Sequence, residues 1–312
     1  MSDFPRMLAK RIQGFVQLRL SLGYGFHREA AFLRAFLRYV EEGGHDGPLT
    51  QDLALAHVLA SSASADGRAR RWATLRRFAE YLAVYDPRTA TLDPRALPPS
   101  RVIPPPRILN HEELSRLMLA TRDISTLRPQ RGRTLETLVG LLASTGLRSG
   151  EALRLDRSDV DLVEGVLQVR KTKFRKDRLV PVHATTRDAL RAYARERDVA
   201  CPEPKCPAFF VSLRGNRLSS AALYVAFHQA CSLAGLDLTP KGLRPHDLRH
   251  RFAVVRLAEW HRQKLDVQAL LPVLATYLGH VSYSETAYYV TGTAELLGFA
   301  AERAFLGDGG AS

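Results

Sequence analysis

Two basic segments in the second half of the chain carry side chains that could bind or protonate a phosphate. The first, STGLRSGEALRL, places Arg148 between Gly146 and Gly150, and glycine lets the backbone of a ligand approach closely. Taken alone, this pattern is more typical of an exposed arginine at a helix corner. The second, RKTKFRKDR at residues 170–178, contains three of the chain's seven lysines. A lysine, unlike an arginine, can release a proton when burial and nearby cations lower its pKa, so both a catalytic acid and a solvated turn fit this segment.

Histidine and tyrosine occur in two further segments. In HDLRH, His246 and Arg249 stand three residues apart, so they share one face of the predicted helix. In YLGHVSYSETAYY, His280 follows a glycine, and Tyr288 adjoins Tyr289. Each of these features alone is more often structural. Together with the first two segments, they provide two cations for one phosphate, an acid and a hydroxyl nucleophile.

This set of residue types indicates cleavage of a phosphodiester without a metal ion. Fixed cations can stabilise the transition state while a side chain acts as the nucleophile. The sequence has no carboxylate cluster beside these residues that would bind a metal. A tyrosine nucleophile stores the energy of the broken bond in a phosphodiester, which favours strand transfer over hydrolysis. We therefore expect no metal and no other cofactor.

The charge balance of the chain indicates a polyanionic partner. Lys and Arg number 45 against 32 Asp and Glu in 312 residues, which gives a net charge of +13. Arginine supplies most of this charge, and its planar guanidinium matches phosphate geometry. No apolar run approaches the ~18 residues that span a bilayer, and the N-terminus lacks an apolar signal-peptide stretch. We expect a cytoplasmic protein with no membrane partner.

The cysteines favour a reducing compartment. The chain has three, at positions 201, 206 and 231, which is an odd number and too few for a disulfide framework. Cys201 and Cys206, in CPEPKC, could form half of a zinc site. No second Cys or His pair stands at ligand spacing, so structural thiols are the favoured interpretation.

The elements that must position these residues fall into two parts. Residues 1–97 show apolar positions at helical spacing, with a predicted helix opening at Thr50. Residues 98–106, PPSRVIPPP, hold five prolines and predict an extended linker. Residues 107–312 are again mostly helical, but residues 160–182 alternate as a short antiparallel meander. We also expect Ser149 to cap the helix that follows the Arg148 turn. The predicted fold is mainly α with a small three-stranded antiparallel β insert.

The order of these motifs resembles the tyrosine recombinase (phage integrase) family over residues 107–295. TGLRSGEAL, TKFRKDRLVP, HDLRHRFA and YLGHVSYSETAYY are similar to the family's four sequence boxes. The resemblance implies Glu151 as a supporting acid. The catalytic residues that it implies are Arg148, Lys173, His246, Arg249, His280 and Tyr289. It also implies a two-domain C-shaped DNA clamp, in which residues 1–97 form a helical, SAM-like core-binding domain and residues 107–312 form the catalytic domain.

The resemblance further implies a mechanism. Arg148 and Arg249 bind the scissile phosphate, and His280 donates a hydrogen bond to it. Tyr289 attacks phosphorus and Lys173 protonates the departing 5′ oxygen, which leaves a 3′-phosphotyrosyl link. Two points stay open. The first is the identity of the nucleophile, because Tyr289 is assigned by its spacing from the glycine–histidine pair and Tyr288 stands next to it. The second is what assists the attack of Tyr289, which is either His246 or the local cationic field.

The partner implied is double-stranded DNA with inverted-repeat recombination sites, bound by a tetramer on synapsed DNA at the bacterial nucleoid. Partner recombinases could take part, since residues 260–277 are similar to a transposon-borne branch. We expect DNA contacts from Arg70, Arg71, Arg76, Arg77, Arg175, Lys176, Lys241, Arg244 and Arg251. Two other functions stay open at this point, a type IB topoisomerase and a non-catalytic DNA-binding regulator.

Overall fold

The computed structural model describes residues 3–62, 64–98, 107–124, 129–170, 177–236 and 242–279. The chain divides into two compact units, Met1–Pro104 and Pro105–Ser312. The boundary falls inside the proline-rich segment, of which Pro98 alone is among the described residues. That the first unit is a core-binding domain, that the second is a catalytic domain, and that the two form a clamp around DNA all stay predictions.

The N-terminal unit is built from amphipathic helices. Thr50 caps α3 as the sequence predicts, because its hydroxyl accepts a hydrogen bond from the Leu53 N–H. The core of this unit combines aliphatic and aromatic side chains, and the rings of Phe15 and Phe78 meet edge to face at 5.6 Å between centroids. The helices are α1 (Asp3–Ser21), α2 (His27–Glu42), α3 (Gln51–Ser61) and α4 (Ala65–Ala83).

The C-terminal unit surrounds one buried helix. Helix α6 packs against α5, α8 and α10, and Leu138, Val139 and Leu142 along it are fully buried. The helices among its described residues are α5 (His111–Asp123), α6 (Pro129–Thr145), α7 (Ser149–Arg154), α8 (Ala184–Ala200), α9 (Ser220–Leu233), α10 (Pro245–Arg262) and α11 (Val267–Leu278).

The predicted β insert is present as one small sheet. A 3-10 turn (Arg157–Asp159) leads into strands β1 (Val160–Asp161), β2 (Val166–Val169) and β3 (Arg178–Pro181). The strands pair antiparallel in the order β1-β2-β3. The expectation of a mainly helical protein with a three-stranded antiparallel insert is therefore confirmed.

Two helices of the C-terminal unit end at glycines with left-handed backbone. Gly146 follows α6 with φ +64°, and Gly279 follows α11 with φ +69°. A Cβ at Gly146 would lie 2.6 Å from Phe252 Cδ1 and 2.8 Å from Leu278 Cδ2. The end of α6 therefore packs directly against α10 and α11, and this contact requires glycine both for its backbone and for its space.

Replacing Gly146 should test this packing. A non-glycine residue in left-handed backbone costs about 1–2 kcal/mol, and overpacking adds about 1–3 kcal/mol. Gly235→Ala is a matched control, because Gly235 has φ +66° and no heavy atom of the described residues lies within 4 Å of its Cβ position. Denaturant unfolding should show a clearly larger loss of stability for Gly146→Ala than for Gly235→Ala. Equal losses would mean that the end of α6 relaxes freely.

Candidate active site

Arg148 lies in the turn between α6 and α7 and is itself the residue that caps α7. Its backbone is extended (φ −66°, ψ 141°), and Ser149 is the first helical residue, so the expectation that Ser149 caps this helix is wrong. The physical reason is Glu151, the third helical residue. Its carboxylate accepts a hydrogen bond from the Arg148 backbone N–H at 3.1 Å, and this contact starts the helix one residue earlier.

Glu151 is buried between two guanidinium groups. Its side chain is 2% exposed, and it accepts hydrogen bonds from Arg148 Nη1 at 3.0 Å and from Arg178 Nη2 at 2.8 Å. Burial raises the pKa of the Glu151 carboxyl, but the hydrogen bond and charge of Arg178, followed by those of Arg148, outweigh burial and hold this pKa to about 2. Glu151 is therefore ionised at neutral pH and orients both arginines. Two cations and one anion leave this trio with a net positive charge.

Arg249 joins the ends of two helices. It lies on α10, is 1% exposed, and donates from Nη1 to the Gly146 carbonyl at 2.8 Å and from Nη2 to the Leu278 carbonyl at 2.9 Å. Helix C-termini leave carbonyl groups without helical partners, and a guanidinium can satisfy two of them at once. The Arg249 side chain is therefore fixed beside the turn that carries Arg148.

His246 lies one turn before Arg249 on α10. Its ring stands 4.8 Å from the ring of His250, nearly perpendicular to it. Burial lowers the pKa of His246 to about 4, with further lowering by the charges of His250, Arg249 and Arg148. His246 is therefore neutral at pH 7 and can accept a proton.

The end of α11 completes the cluster. Arg148 Nη1 also donates to the Gly279 carbonyl at 3.3 Å, and Arg178 Nε donates to the Tyr277 carbonyl at 2.9 Å. The structure thus brings Arg148, Glu151, His246 and Arg249 together from segments about 100 residues apart in the chain. Lys173, His280, Tyr288 and Tyr289 lie outside the described residues.

Arg178 belongs to this cluster but was not among the expected site residues. Arg178 is the last residue of the basic segment 170–178, and that segment fits a solvated turn as well as a catalytic site. In the structure its side chain is 11% exposed and pairs with Glu151. The only signal in the sequence is that Arg178 opens the strand after the turn, where a charged side chain has to find a partner.

The arginines predicted for DNA contact in the N-terminal unit differ in exposure. Arg70 and Arg77 are exposed on α4. Arg76 donates to the Leu92 carbonyl at 3.1 Å, and Arg71 is half-buried. Arg70 and Arg77 are therefore better placed than Arg71 and Arg76 to reach a phosphate.

In the C-terminal unit, two predicted DNA-contact residues hold protein groups. Arg244 pairs with Asp247 at 2.8 Å, and its side chain stays 44% exposed. Arg251 is half-buried and donates to the Leu109 carbonyl at 2.9 Å. Burial lowers the pKa of Arg251. The remaining predicted contacts, Arg175, Lys176 and Lys241, lie outside the described residues.

Neither a metal cluster nor a membrane span is found in the described part of the chain. Within those residues, no group of three or more His, Cys, Asp or Glu side chains could hold a metal ion. Cys231 is buried, and Cys201 and Cys206 are half-buried. No helix in the same residues is long and apolar enough to cross a membrane.

The family model of the phage integrase family matches residues 107–295, which is most of the C-terminal unit. The chain belongs to the phage integrase family. This membership confirms the enzyme class expected from the sequence, a tyrosine-type site-specific DNA recombinase.

Three comparisons describe its relatives. "Putative integrase/recombinase y4rE" of Sinorhizobium fredii is 61% identical to this chain over 312 residues. The alignment covers 100% of both chains. Tyrosine recombinase XerA of Thermococcus kodakarensis is 33% identical over 204 residues, 64% of each chain. The solved structure of the Tn1549 transposon integrase in complex with transposon right end DNA is 14% identical, with a TM-score of 0.66 over 96% of this chain and 98% of that one. This last likeness concerns the fold.

The depressed pKa of His246 predicts a pH dependence of stability. The folded chain holds the His246 pKa at about 4, against 6.5 for an unperturbed histidine. Between these two pH values the unfolded chain binds a proton that the folded chain does not, so stability falls as pH falls through this window. We expect His246→Gln to lose less stability than the wild type between pH 6.5 and pH 4.

Denaturant unfolding of both proteins at several pH values measures this difference. All other titratable groups are the same in both proteins, so the difference between the two curves reports His246 together with its interaction with His250. Curves that stay parallel over the window would contradict a neutral, buried His246.

Proposed function

We propose that Arg148 and Arg249 bind the scissile phosphate of a DNA strand at the cluster that contains Glu151 and His246. The observation that carries this proposal is the convergence of Arg148 and Arg249 on the adjoining ends of α6 and α11. Fixed guanidinium groups stabilise the extra negative charge that a phosphate gains in its transition state. Because these groups are already held by the protein, they need not reorganise when the charge develops.

In this proposal Tyr289 is the nucleophile. Its hydroxyl oxygen attacks phosphorus, the bond from phosphorus to the 5′ oxygen breaks, and a 3′-phosphotyrosyl link forms. Lys173 gives a proton to the departing 5′ oxygen, and His280 donates a hydrogen bond to the phosphate. A 5′ hydroxyl of another strand then attacks the phosphotyrosyl link and releases the tyrosine. Each step exchanges one phosphodiester for another, so strand transfer needs no external energy.

His246 is the residue we assign to accept the tyrosine proton. A general base has to be neutral before the reaction, and the pKa of His246, lowered to about 4, meets this condition. Two of the charges that lower this pKa belong to Arg249 and Arg148. When a phosphate anion binds between these arginines, it offsets their charge, so the basicity of His246 rises when the substrate is present.

We infer that the biological role is recombination of a mobile element, by integration, excision or transposition. The full-length similarity to an integrase/recombinase supports this role, as does a fold shared with a transposon integrase. Exchange between two duplexes requires four strand cuts, and hence four active sites gathered on DNA. We therefore propose a tetramer on synapsed inverted-repeat sites, acting at the nucleoid in the cytoplasm.

The N-terminal unit has a binding role in this proposal. We assign residues 1–97 as the core-binding domain, with exposed Arg70 and Arg77 on α4 as its phosphate contacts. The net charge of +13 supports attraction to a polyanion.

The nucleophile is tested by substituting the two adjacent tyrosines. The side chains of consecutive residues diverge by about 100° on a helix and point to opposite faces of a strand, so in either case one of the two hydroxyls can face the phosphate. Tyr289→Phe should abolish the covalent protein–DNA adduct while DNA affinity is kept, and Tyr288→Phe should still form the adduct. Denaturing electrophoresis with a labelled suicide substrate, followed by peptide mapping, measures both.

Two outcomes would change the assignment. A DNA-linked peptide modified at Tyr288 moves the nucleophile by one residue. Absence of any adduct with the wild type favours a non-catalytic DNA-binding regulator.

The acid is tested with a modified leaving group. Lys173→Ala should slow cleavage of ordinary DNA about 10²-fold, because the 5′ oxygen then leaves without a proton. Sulfur in the 5′-bridging position leaves well unprotonated, so such a substrate should restore most of the rate. Lys171→Ala and Lys176→Ala are the matched controls in the same segment. Rescue seen in a control but not in Lys173→Ala would show that another lysine is the acid.

A further inference from the structure

Arg178 occupies a central place in the cluster that the proposed mechanism does not use. It is the first residue of β3 and donates in three directions with a side chain that is 11% exposed. Two of its nitrogens reach the two carboxylate oxygens of Glu151, at 3.3 Å and 2.8 Å. Its Nε reaches the Tyr277 carbonyl at 2.9 Å. One guanidinium therefore links β3, α7 and the end of α11.

Helix α7 and the end of α11 also hold Arg148. Glu151 accepts from Arg148 Nη1 at 3.0 Å, and the Gly279 carbonyl accepts from the same nitrogen at 3.3 Å. A Cβ at Gly279 would lie 2.7 Å from Arg178 Nη1, so the guanidinium packs directly on this glycine. Arg178 thus contacts both neighbours that orient Arg148, and the two arginines share the Oε1 atom of Glu151.

We propose that Arg178 is a positioning residue for strand cleavage, which orients Arg148 through Glu151 and fixes the end of α11 through Tyr277 and Gly279. This inference rests on the proposed phosphate-binding role of Arg148. Arg178 is assigned no contact with DNA. Its effect on the reaction passes through the shared carboxylate and through the backbone of α11.

The geometry explains why this position requires arginine. The guanidinium is planar and presents several N–H donors in fixed directions, so it can serve a carboxylate and a carbonyl together. A lysine ammonium at the same place could pair with Glu151 but has neither this planar fork nor the same reach. We therefore expect Arg178→Lys to keep the charge and part of the function.

The alternative is that Arg178 only stabilises the fold, and pH dependence separates the two roles. The charged groups that act on Glu151 are Arg178 on β3 and Arg148 at the start of α7. Arg148 also acts on His246 of α10, together with Arg249, and Arg178 also acts on Tyr277 of α11, together with Arg256. Arg178 is the strongest influence that lowers the Glu151 pKa against its burial. Without Arg178, that pKa rises, and a protonated Glu151 no longer holds Arg148 as an anion does.

The experiment measures the single-turnover rate of covalent adduct formation at saturating protein, from pH 5 to pH 8. Arg178→Met should lower this rate about 10²-fold at neutral pH, as small misplacements of catalytic groups do. It should also add an acid limb, in which the rate falls further as pH falls. DNA affinity should stay close to that of the wild type.

The matched control is Arg217→Met. Arg217 also pairs with a carboxylate, Asp156, and donates to the carbonyls of Leu153 and Leu155 at the opposite end of α7. This variant removes an arginine that also bridges a carboxylate and backbone carbonyls but is 34% exposed. Its pH profile should stay that of the wild type. The double variant Arg178→Met/Glu151→Gln should lack the acid limb, because the titrating group is gone.

Each result bears on a single claim. No adduct with the wild type would refute the proposed function itself. A wild-type adduct together with an Arg178→Met rate like that of Arg217→Met, or a pH profile without the acid limb, would overturn the role of Arg178. If thermal melting shows that Arg178→Met is not folded, Arg178→Lys is tested in its place. That variant should then cleave several-fold more slowly than the wild type at unchanged DNA affinity, and an unchanged rate would overturn the proposal.

Discussion

A carboxylate buried away from water stays ionised only where cations and hydrogen-bond donors reach it, and Glu151 imposes this condition on the C-terminal unit. Its side chain is 2% exposed, and the arginines that satisfy it come from the turn before α7 and from β3. The Glu151 carboxylate therefore links the turn before α7 to strand β3. The β insert, which is small and forms little of the core, is held against the helices at the point where the site lies.

Helix ends also hold arginines of the site. Arg249 donates to the carbonyls of Gly146 and Leu278, and Arg178 donates to that of Tyr277. The C-terminus of a helix carries partial negative charge, which stabilises a nearby cation. Cations can thus be gathered beside one another at modest electrostatic cost, and they are fixed before any phosphate arrives.

Much of the fold could be predicted from residue spacing, whereas the partners of charged side chains could not. Apolar periodicity indicates the helices, the Thr50 hydroxyl marks the start of α3, and alternation at residues 160–182 indicates the sheet. Ser149 has the right residue type for a cap, but the Glu151 carboxylate, which competes from inside the helix, moved the cap to Arg148. Local sequence does not record that α11 lies beside β3, so the burial of Arg178 follows only from the tertiary structure.

The two left-handed glycines bear on how such a site could be transplanted by protein design. A scaffold that reproduces the proposed catalytic side chains on ordinary helices would lack the left-handed backbone at Gly146 and Gly279. The carbonyls of these two glycines accept hydrogen bonds from guanidinium groups, and neither position has room for a methyl group. The portable unit is therefore a pair of helix termini with their glycines, and a graft that copies six side chains without them would have arginines with no fixed direction.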